Sequence, residues 1–280
     1  MTAILKIFLL SMAATALPGK IMNGTGRVIN KPALLHRQEL QADKLAANAP
    51  GTLSKKTAIY LTFDDGPSDA SFFLSNMAMA DSIPMTMFVI GGNVFKNEGN
   101  NILYQLYQLN PFIETGNHSF SHANKHYHAY YDQPGEVVKD FHINADTLGL
   151  SSKIARLPGR NTWRINGKKR TDLTDDSTAA DILSSEGYRI FGWDIEWKCS
   201  KDSVQMIQSA ATVADEIKKM AHSRKTFTAG HIIILCHEYM FTNESDRTKL
   251  DSLIHTIKQM PGYRFQRLSE YPVIFNHSLN

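Results

Sequence analysis

Short apolar runs alternate with mixed polar stretches from residue 55 to residue 268 of the chain. The apolar runs predict strands, and the longer stretches between them predict helices. Strands are predicted at 58–63, 85–90, 112–115, 154–157, 188–193, 231–237 and 263–268. Helices are predicted at 69–81, 101–109, 134–148, 176–185, 203–222 and 246–260.

This alternation predicts an α/β fold with a parallel sheet. About seven strand–helix repeats indicate successive βαβ units. The strands are nearly continuous apolar runs, as expected when helices cover the outside of the sheet. A barrel and a doubly wound sheet both satisfy the pattern.

The N-terminal part of the chain differs from this pattern. Lys6, an apolar run at 7–13 and an Ala-x-Ala pattern at 14–16 describe a secretory signal peptide at 1–16. A short core helix is the alternative. Residues 17–54 are interpreted as an N-terminal extension. The apolar run is shorter than the roughly 20 residues that span a bilayer, so we expect a secreted or periplasmic protein with no stable membrane span after cleavage.

Composition narrows the function classes. The chain has 280 residues, 42% of them hydrophobic, and its 17 Gly and 10 Pro exclude a low-complexity or collagen-like chain. Its 30 basic and 27 acidic residues give a net charge of +3, spread along the chain. A nucleic-acid partner usually requires a concentrated basic face, so none is expected. The sequence carries no signal for an oligomeric state.

Polar side chains stand where predicted strands end. In an α/β barrel these ends open on one face, where active sites are built. Charged residues that merely face solvent would not be expected to fall at strand ends so consistently. The pattern therefore predicts an active site. The residues are Asp64, Asp65, His118, Arg156, Asp194 and His237.

Asp64 and Asp65 leave a strand and enter an Asp-Gly-Pro turn. Turn chemistry alone explains an Asp at this place. Alternatively the two carboxylates divide their roles, because successive side chains diverge: one holds a metal and the other faces a bound water. A glycosidase pair is less natural, since its two carboxyls stand roughly 5–9.5 Å apart around a sugar bond.

His118 and His122 are four residues apart, so a helical turn would place them on one face. Imidazole suits Zn²⁺, and a catalytic zinc site keeps three protein ligands and one open position. Two His and one carboxylate would fill such a site, with Ser119 and Ser121 holding the rings. A pair of surface His is the alternative.

Arg156 follows a strand and can clamp a carboxylate in fixed geometry. Asp194 and Glu196 are candidate partners, and a structural ion pair is the alternative. His237 shares a strand face with Leu235. It can serve as a general acid near neutral pH, or it can be structural.

The segment 161–176 is rich in basic residues. It either meets an anionic glycan or is a solvated loop. Its basic and aromatic members are Trp163, Arg164, Lys168, Lys169 and Arg170.

Five motifs carry a family resemblance. They are T-F-D-D-G-P at 62–67, H-S-F-S-H at 118–122, R-L-P-G at 156–159, W-D-I-E-W at 193–197 and I-L-C-H at 234–237. In this order they resemble the polysaccharide deacetylases, carbohydrate esterase family four, with its NodB homology domain at 55–280. The resemblance implies a distorted (β/α)7 barrel. It also implies removal of acetyl groups from N-acetylated, occasionally O-acetylated, glycans by means of a divalent metal, usually zinc, with cobalt or nickel as alternatives.

The resemblance also implies residue roles. Asp65, His118 and His122 would hold the metal. The proton-transfer positions would be Asp64 as base, Arg156 as the residue that orients and tunes it, and His237 as acid.

On the substrate side, Leu235 and Trp197 match the pocket for the acetyl methyl group, and the Gly159 backbone N–H matches an oxyanion donor. The family usually has Tyr or Trp at the position of Gly159 and Asp at that of Glu196. Either Asp194 or Glu196 would support Arg156.

The implied reaction is hydrolysis of an acetamide to acetate and a glucosamine-type sugar. A catalytically inactive glycan-binding barrel is the alternative from another class, and a glycosidase is the alternative enzyme. The acetylated glycan could be peptidoglycan, chitin oligomers or an exopolysaccharide.

Overall fold

The structure is a computed structural model that describes residues 56–200, 202 and 204–272, and the backbone of two short strands nearer the N-terminus. The chain divides into two units, Met1–Ser54 and Lys55–Asn280. In the first, β1 (Lys20–Met22) pairs antiparallel with β2 (Val28–Asn30). The predicted signal peptide at 1–16 lies outside the described residues, as does most of the extension.

The second unit is built on one sheet of ten strands. The strands are β3 (Thr57–Gly66), β4 (Met85–Val89), β5 (Ile113–Asn117), β6 (Ile154–Ala155), β7 (Trp163–Ile165), β8 (Lys168–Arg170), β9 (Arg189–Ile190), β10 (Ile195–Glu196), β11 (His231–His237) and β12 (Tyr263–Phe265). Their order is β10-β11-β3-β4-β5-β6-β9-β7-β8, and β12 pairs with β3. All pairings are parallel except those of β7 with β8 and with β9.

The connection from β9 to β10 requires the sheet to curl. These strands stand six places apart in the sheet, but only residues 191–194 join them. In a flat sheet, six spacings would cover about 29 Å, whereas five extended residue steps reach only about 17 Å. The seven parallel strands from β10 to β9 therefore curve into a distorted barrel, and the fold predicted from the sequence is confirmed.

Eight helices flank the described strands. They are α1 (Ser71–Asp81), α2 (Gly91–Val94), α3 (Glu98–Leu109), α4 (Tyr127–Tyr131), α5 (Pro134–Leu148), α6 (Ser177–Ser185), α7 (Ala210–Ser223) and α8 (Glu244–Gln259). Asn97, Ser209 and Asn243 each accept a backbone N–H at the start of α3, α7 and α8, which satisfies a donor that the helix itself leaves free. Among the described residues, no helix is long and apolar enough to cross a bilayer.

The two faces of the strands belong to different cores. On β3 and β11, residues such as Leu61, Phe63 and Ile234 pack outward against the helices. The alternate residues Tyr60 and Ile233 point inward and fill the bottom of the barrel. Cys236 packs with the outward set, as the strand period predicts, and both cysteines are free thiols.

Among the predicted elements that are shorter in the structure, the helix at 203–222 and the strand at 188–193 lose the most residues. The helix predicted at 203–222 begins only at Ala210, because the residues before it bond back to the segment that follows β10: the Ser200 N–H donates to the Gln205 carbonyl, and the Ile207 N–H to that of Lys198. The strand predicted at 188–193 is only β9, because the carbonyls that follow it bond to a buried arginine.

The basic segment at 161–176 contains a β-hairpin rather than an open loop. β7 and β8 pair antiparallel around Asn166 and Gly167, both at positive φ, as a tight two-residue turn requires. Arg164 and Lys169 both pair with Asp181, and Trp163 is fully buried. Asp181 therefore balances part of the basic charge of this segment, while Lys168 remains exposed.

Candidate active site

Asp64 and Asp65 end β3 at a break in its register. The regular pairing with β4 shifts between Phe63 and Gly66, and Asp65 has a φ of 69°. Asp is one of the few side chains that tolerate this left-handed region. The Asn93 side chain donates to the Asp65 carbonyl at 2.8 Å. The turn therefore directs two adjacent carboxylates to different neighbours.

Asp65 meets two imidazoles. Its Oδ1 lies 3.1 Å from Nε2 of His122 and 3.4 Å from Nε2 of His118. The three ligand atoms all lie within 4.8 Å of one another. Asp65 Oδ1 is buried and, within the described part of the chain, has no hydrogen-bond partner. Two imidazole nitrogens and one carboxylate fit a divalent metal with an open coordination position.

The orientation of His118 supports this fit. Its Nδ1 lies 2.8 Å from the Arg156 carbonyl, and a carbonyl oxygen can only accept a hydrogen bond. Nδ1 therefore carries the proton, and in the neutral ring the lone pair of Nε2 faces Asp65. A ligand His with its other nitrogen fixed in this way is the usual arrangement at metal centres.

The electrostatics of the cluster favour positive charge. Burial opposes ionisation of Asp65, but His118 and His122 together hold the pKa of Asp65 well below its usual range. Burial acts to lower the pKa of His118, yet Asp64, Asp65 and the Arg156 carbonyl raise it above the usual value. Imidazoles must be neutral to bind a metal, so a bound cation would take the place of these protons beside the two carboxylates.

The segment that supplies His122 has an unusual backbone. His122, Ala123, Asn124 and Lys125 are all left-handed, with φ of 52°, 56°, 46° and 66°. Such residues cost roughly 1–2 kcal/mol each. The prediction that His118 and His122 share a face of a right-handed turn is therefore wrong, although their ring centroids still come within 5.0 Å.

Ser119, Ser121 and Asp140 hold this segment. The Ser119 hydroxyl accepts the His122 N–H at 3.0 Å. The Ser121 N–H and hydroxyl both donate to Asp140, at 3.1 Å and 2.9 Å. The two serines fix the backbone rather than the ligand rings, which corrects the sequence prediction. Asp140 was missed because it lies on α5, with nothing in its own surroundings to mark it.

Arg156 is fully buried and binds the other carboxylate. Its Nη1 donates to Asp64 Oδ1 at 2.7 Å and to the Thr62 hydroxyl at 2.8 Å. Nε and Nη2 donate to the carbonyls of Phe191 and Gly192. Burial lowers the pKa of Arg156, and the charge of Asp64 partly offsets this. The pair holds the Asp64 carboxylate in one orientation.

The predicted support of Arg156 by Asp194 or Glu196 is wrong. The donors of Arg156 bond to Asp64, Thr62 and two backbone carbonyls. The Asp194 side chain is only 1% exposed, and it accepts the N–H groups of Phe227 and Ile233 at 2.9 Å and 3.0 Å. Burial raises its pKa. Asp194 ties backbone together and is not available to bind substrate.

Trp197 is not a pocket wall in the structure. It is fully buried, packs against Phe241 and donates from Nε1 to the Gln208 carbonyl. Trp197 and Ile195 both belong to the outward core, because residues two apart on an extended segment share a face. Leu235, by contrast, is on the inward face of β11, paired in register with Thr62.

Gly159 stands beside an aromatic ring. Its φ is 64°, and a Cβ there would lie 3.1 Å from the ring of Tyr127. The same ring meets His122 edge-on at 5.8 Å between centroids. The sequence indicated that glycine removes an aromatic from this position, and the structure supplies one from α4 instead.

His237 ends β11 next to Asp64, its register partner on β3. Its backbone N–H donates to the sulfur of Met240 at 3.2 Å. The ring of Tyr239 lies 5.2 Å away. The structure therefore places His237 at the strand end, beside Asp64.

Glu238 is a buried carboxyl that sequence reasoning missed. It accepts the hydroxyls of Ser71 and Ser68 at 2.7 Å and 3.2 Å, and burial raises its pKa to about 7. A Cβ on Gly66 would lie 1.7 Å from its Oε1, so any larger residue there would displace the Glu238 carboxyl. Glu238 therefore packs against the turn that carries Asp64 and Asp65 and stabilises it.

The fold and the site together define an α/β barrel with a candidate metal centre at the carboxyl ends of its strands. A family model described as polysaccharide deacetylase matches residues 52–189. The chain belongs to the polysaccharide deacetylase family.

Three relatives illustrate the likeness. A peptidoglycan-N-acetylglucosamine deacetylase of Bacillus cereus is 24% identical over 89% of this chain and 88% of its own length. A chitin disaccharide deacetylase of Vibrio alginolyticus is 22% identical over 77% of this chain and 71% of its own. The solved catalytic domain of a peptidoglycan N-acetylglucosamine deacetylase from Eubacterium rectale has a TM-score of 0.56 at 20% identity, covering 84% of this chain and 99% of that one. The last likeness shows a shared fold.

Proposed function

We propose that the protein removes acetyl groups from an N-acetylated glycan, with a divalent metal, zinc before cobalt or nickel, held by Asp65, His118 and His122. The observation that carries this proposal is the approach of three ligand atoms to within 4.8 Å, beside a second carboxylate, Asp64, that Arg156 holds in place. A metal in this position would lower the pKa of a bound water and polarise the acetyl carbonyl.

Asp64 is the proposed base. Arg156 occupies its Oδ1, and its Oδ2 lies 3.6 Å from Nε2 of His118, on the side of the ligand cluster. Oδ2 is therefore free to accept a proton from the water that attacks the acetamide carbon. Arg156 keeps the carboxylate oriented and supplies the opposite charge that a buried anion needs.

His237 and Gly159 are proposed to act on the substrate. The imidazole of His237 would donate a proton to the leaving amine. Gly159 is exposed, and its N–H would donate to the carbonyl oxygen as negative charge develops there. A donor of this kind contributes roughly 3 kcal/mol. The inward-facing Leu235 would contact the acetyl methyl group.

The names of the relatives support N-acetylglucosamine as the acetylated sugar. One is named for peptidoglycan and one for a chitin disaccharide. The signal-peptide pattern at 1–16 supports a secreted or periplasmic protein, where such glycans would be reached.

The test is acetate release from peptidoglycan, chitin oligomers and an acetylated exopolysaccharide, each with chelator and with added zinc. Release that stops with chelator and returns with zinc is expected. Glycan binding without release under every metal condition would identify an inactive glycan-binding barrel instead. Release that is indifferent to chelator would remove the metal from the proposal.

A further inference from the structure

A groove of about 720 Å³ opens beside the metal-ligand residues. Asp65 and His122 line one part of it, and Phe120, Ser121, Asn124 and Lys125 line others. A volume of several hundred cubic ångströms is typical of sites for small organic ligands. The groove therefore extends the candidate centre over the segments that follow β4 and β5.

An aromatic pair continues the apolar surface of this groove. Phe95 stacks on Phe120, with centroids 6.4 Å apart and planes inclined by 22°. Phe120 is half-buried and firmly seated: a Cβ on Gly91 would lie 2.5 Å from its ring. Phe95 follows α2 directly and is 50% exposed. The ring of Phe120 is thus held in the groove wall, and the ring of Phe95 faces solvent.

The chemistry of the pair and its surroundings fits a sugar ring. Aromatic side chains that face solvent beside a binding site mark a surface for an apolar partner. A pyranose presents C–H groups on its faces and hydroxyls around its edge. The rings of Phe95 and Phe120 suit the faces, and Ser121 and Asn124 supply groups that can bond to hydroxyls.

We propose that Phe95 and Phe120 form a stacking subsite for a sugar that neighbours the acetylated one. The substrate is then an oligomeric or polymeric glycan rather than a single sugar. This inference rests on the proposed function for the position of the reacting sugar. It adds a binding determinant on the chain segments after β4 and β5.

The test is a titration of N-acetylglucosamine and of its β-1,4-linked tetramer into the full chain by calorimetry. Phe95→Ala should bind the tetramer about five- to tenfold more weakly than wild type, as expected for losing about 1 kcal/mol of ring contact. Phe95→Trp should restore tetramer binding. The loss should be much smaller for the monosaccharide, because Phe95 does not line the groove beside the ligand residues.

Phe72 offers a matched control. It is also a phenylalanine, 49% exposed, on α1 and outside the groove lining. Phe72→Ala should bind the tetramer as wild type does. In acetate-release assays, Phe95→Ala should raise KM for the tetramer and leave kcat unchanged. A general loss of folding would instead lower kcat.

Three results would overturn the proposed subsite, and a fourth would retain it without the proposed reaction. Equal tetramer affinities of Phe95→Ala and wild type would overturn it, as would equal losses in the Phe72 and Phe95 variants. A wild-type protein that does not bind the tetramer would also overturn it. If the wild type binds the tetramer, Phe95→Ala weakens that binding, and no acetate is released with zinc, the subsite stands and the proposed deacetylation fails.

Discussion

Arg156 Nη1 lies 2.7 Å from Asp64 Oδ1, and both side chains are buried. This contact leaves only one oxygen of Asp64 available for chemistry. It also makes the charge of each residue depend on the other, because neither has water to stabilise it. The first two predictions follow from this pair.

Replacing Asp64 with Asn should abolish acetate release and leave zinc binding in place. Loss of a general base removes about 10²–10⁴-fold of rate, whereas Asp65, His118 and His122 remain as ligands. The measurements are kcat for acetate release and zinc stoichiometry of the purified variant. Glu196→Gln is the matched carboxylate control and should retain activity. Full activity of the Asp64 variant would assign the base elsewhere.

Replacing Arg156 with Met should destabilise the fold by roughly 3–5 kcal/mol, because a buried carboxylate is left without its partner. The double variant Arg156→Met with Asp64→Asn should lose less than the sum of the two single variants. Unfolding in urea measures the four free energies of this cycle. Strict additivity would show that the two groups do not stabilise each other.

Glu238 should make the free energy of unfolding fall as pH rises from about 4.5 to 7. Burial raises the pKa of Glu238 to about 7 in the folded protein, so the folded state holds a proton that the unfolded state has already lost. The contribution is fully present below the unfolded pKa and falls by up to about 1.4 kcal/mol per pH unit.

Urea unfolding at pH 5 and at pH 8 measures this dependence. Glu238→Gln should flatten it, because the amide keeps the hydroxyl contacts and cannot ionise. Glu136→Gln, at a solvent-exposed carboxylate on α5, should retain the wild-type slope. If the two variants behave alike, the slope comes from other groups.

Zinc should stabilise the fold, and a chelator should reverse the effect. At a free concentration 100-fold above its Kd, a ligand bound only by the folded state adds about 2.7 kcal/mol. Thermal unfolding with and without zinc measures the shift. His122→Gln should remove most of it, whereas His128→Gln, at an 86% exposed side chain, should not. An equal shift in both variants would mean that zinc binds at another place.

The seven-stranded barrel and the ligand cluster follow from the sequence for a simple reason. Apolar runs set the strands, and polar residues at the carboxyl ends of parallel strands converge whatever the details between them. The strand-end pattern therefore groups Asp64, Asp65 and His118 from the sequence alone. The choice of Asp65 with His118 and His122 as the ligand set came from the family resemblance.

The contacts that hold the site residues in place could not be predicted in the same way. Arg156 is held by the carbonyls of Phe191 and Gly192, and a backbone carbonyl has no residue type to mark it. Trp197 was assigned to the pocket by the resemblance alone, and the two-residue strand β10 is too short to show from the sequence which way it points.

The left-handed turn that carries His122 also supplies Asn124 and Lys125 to the wall of the groove. A metal on His122 and a glycan in the groove would therefore contact one turn, which Ser119, Ser121 and Asp140 hold in place. By thermodynamic reciprocity, any factor by which zinc changes glycan affinity is also the factor by which the glycan changes zinc affinity. The turn is thus the part of the chain through which the two binding events would be coupled.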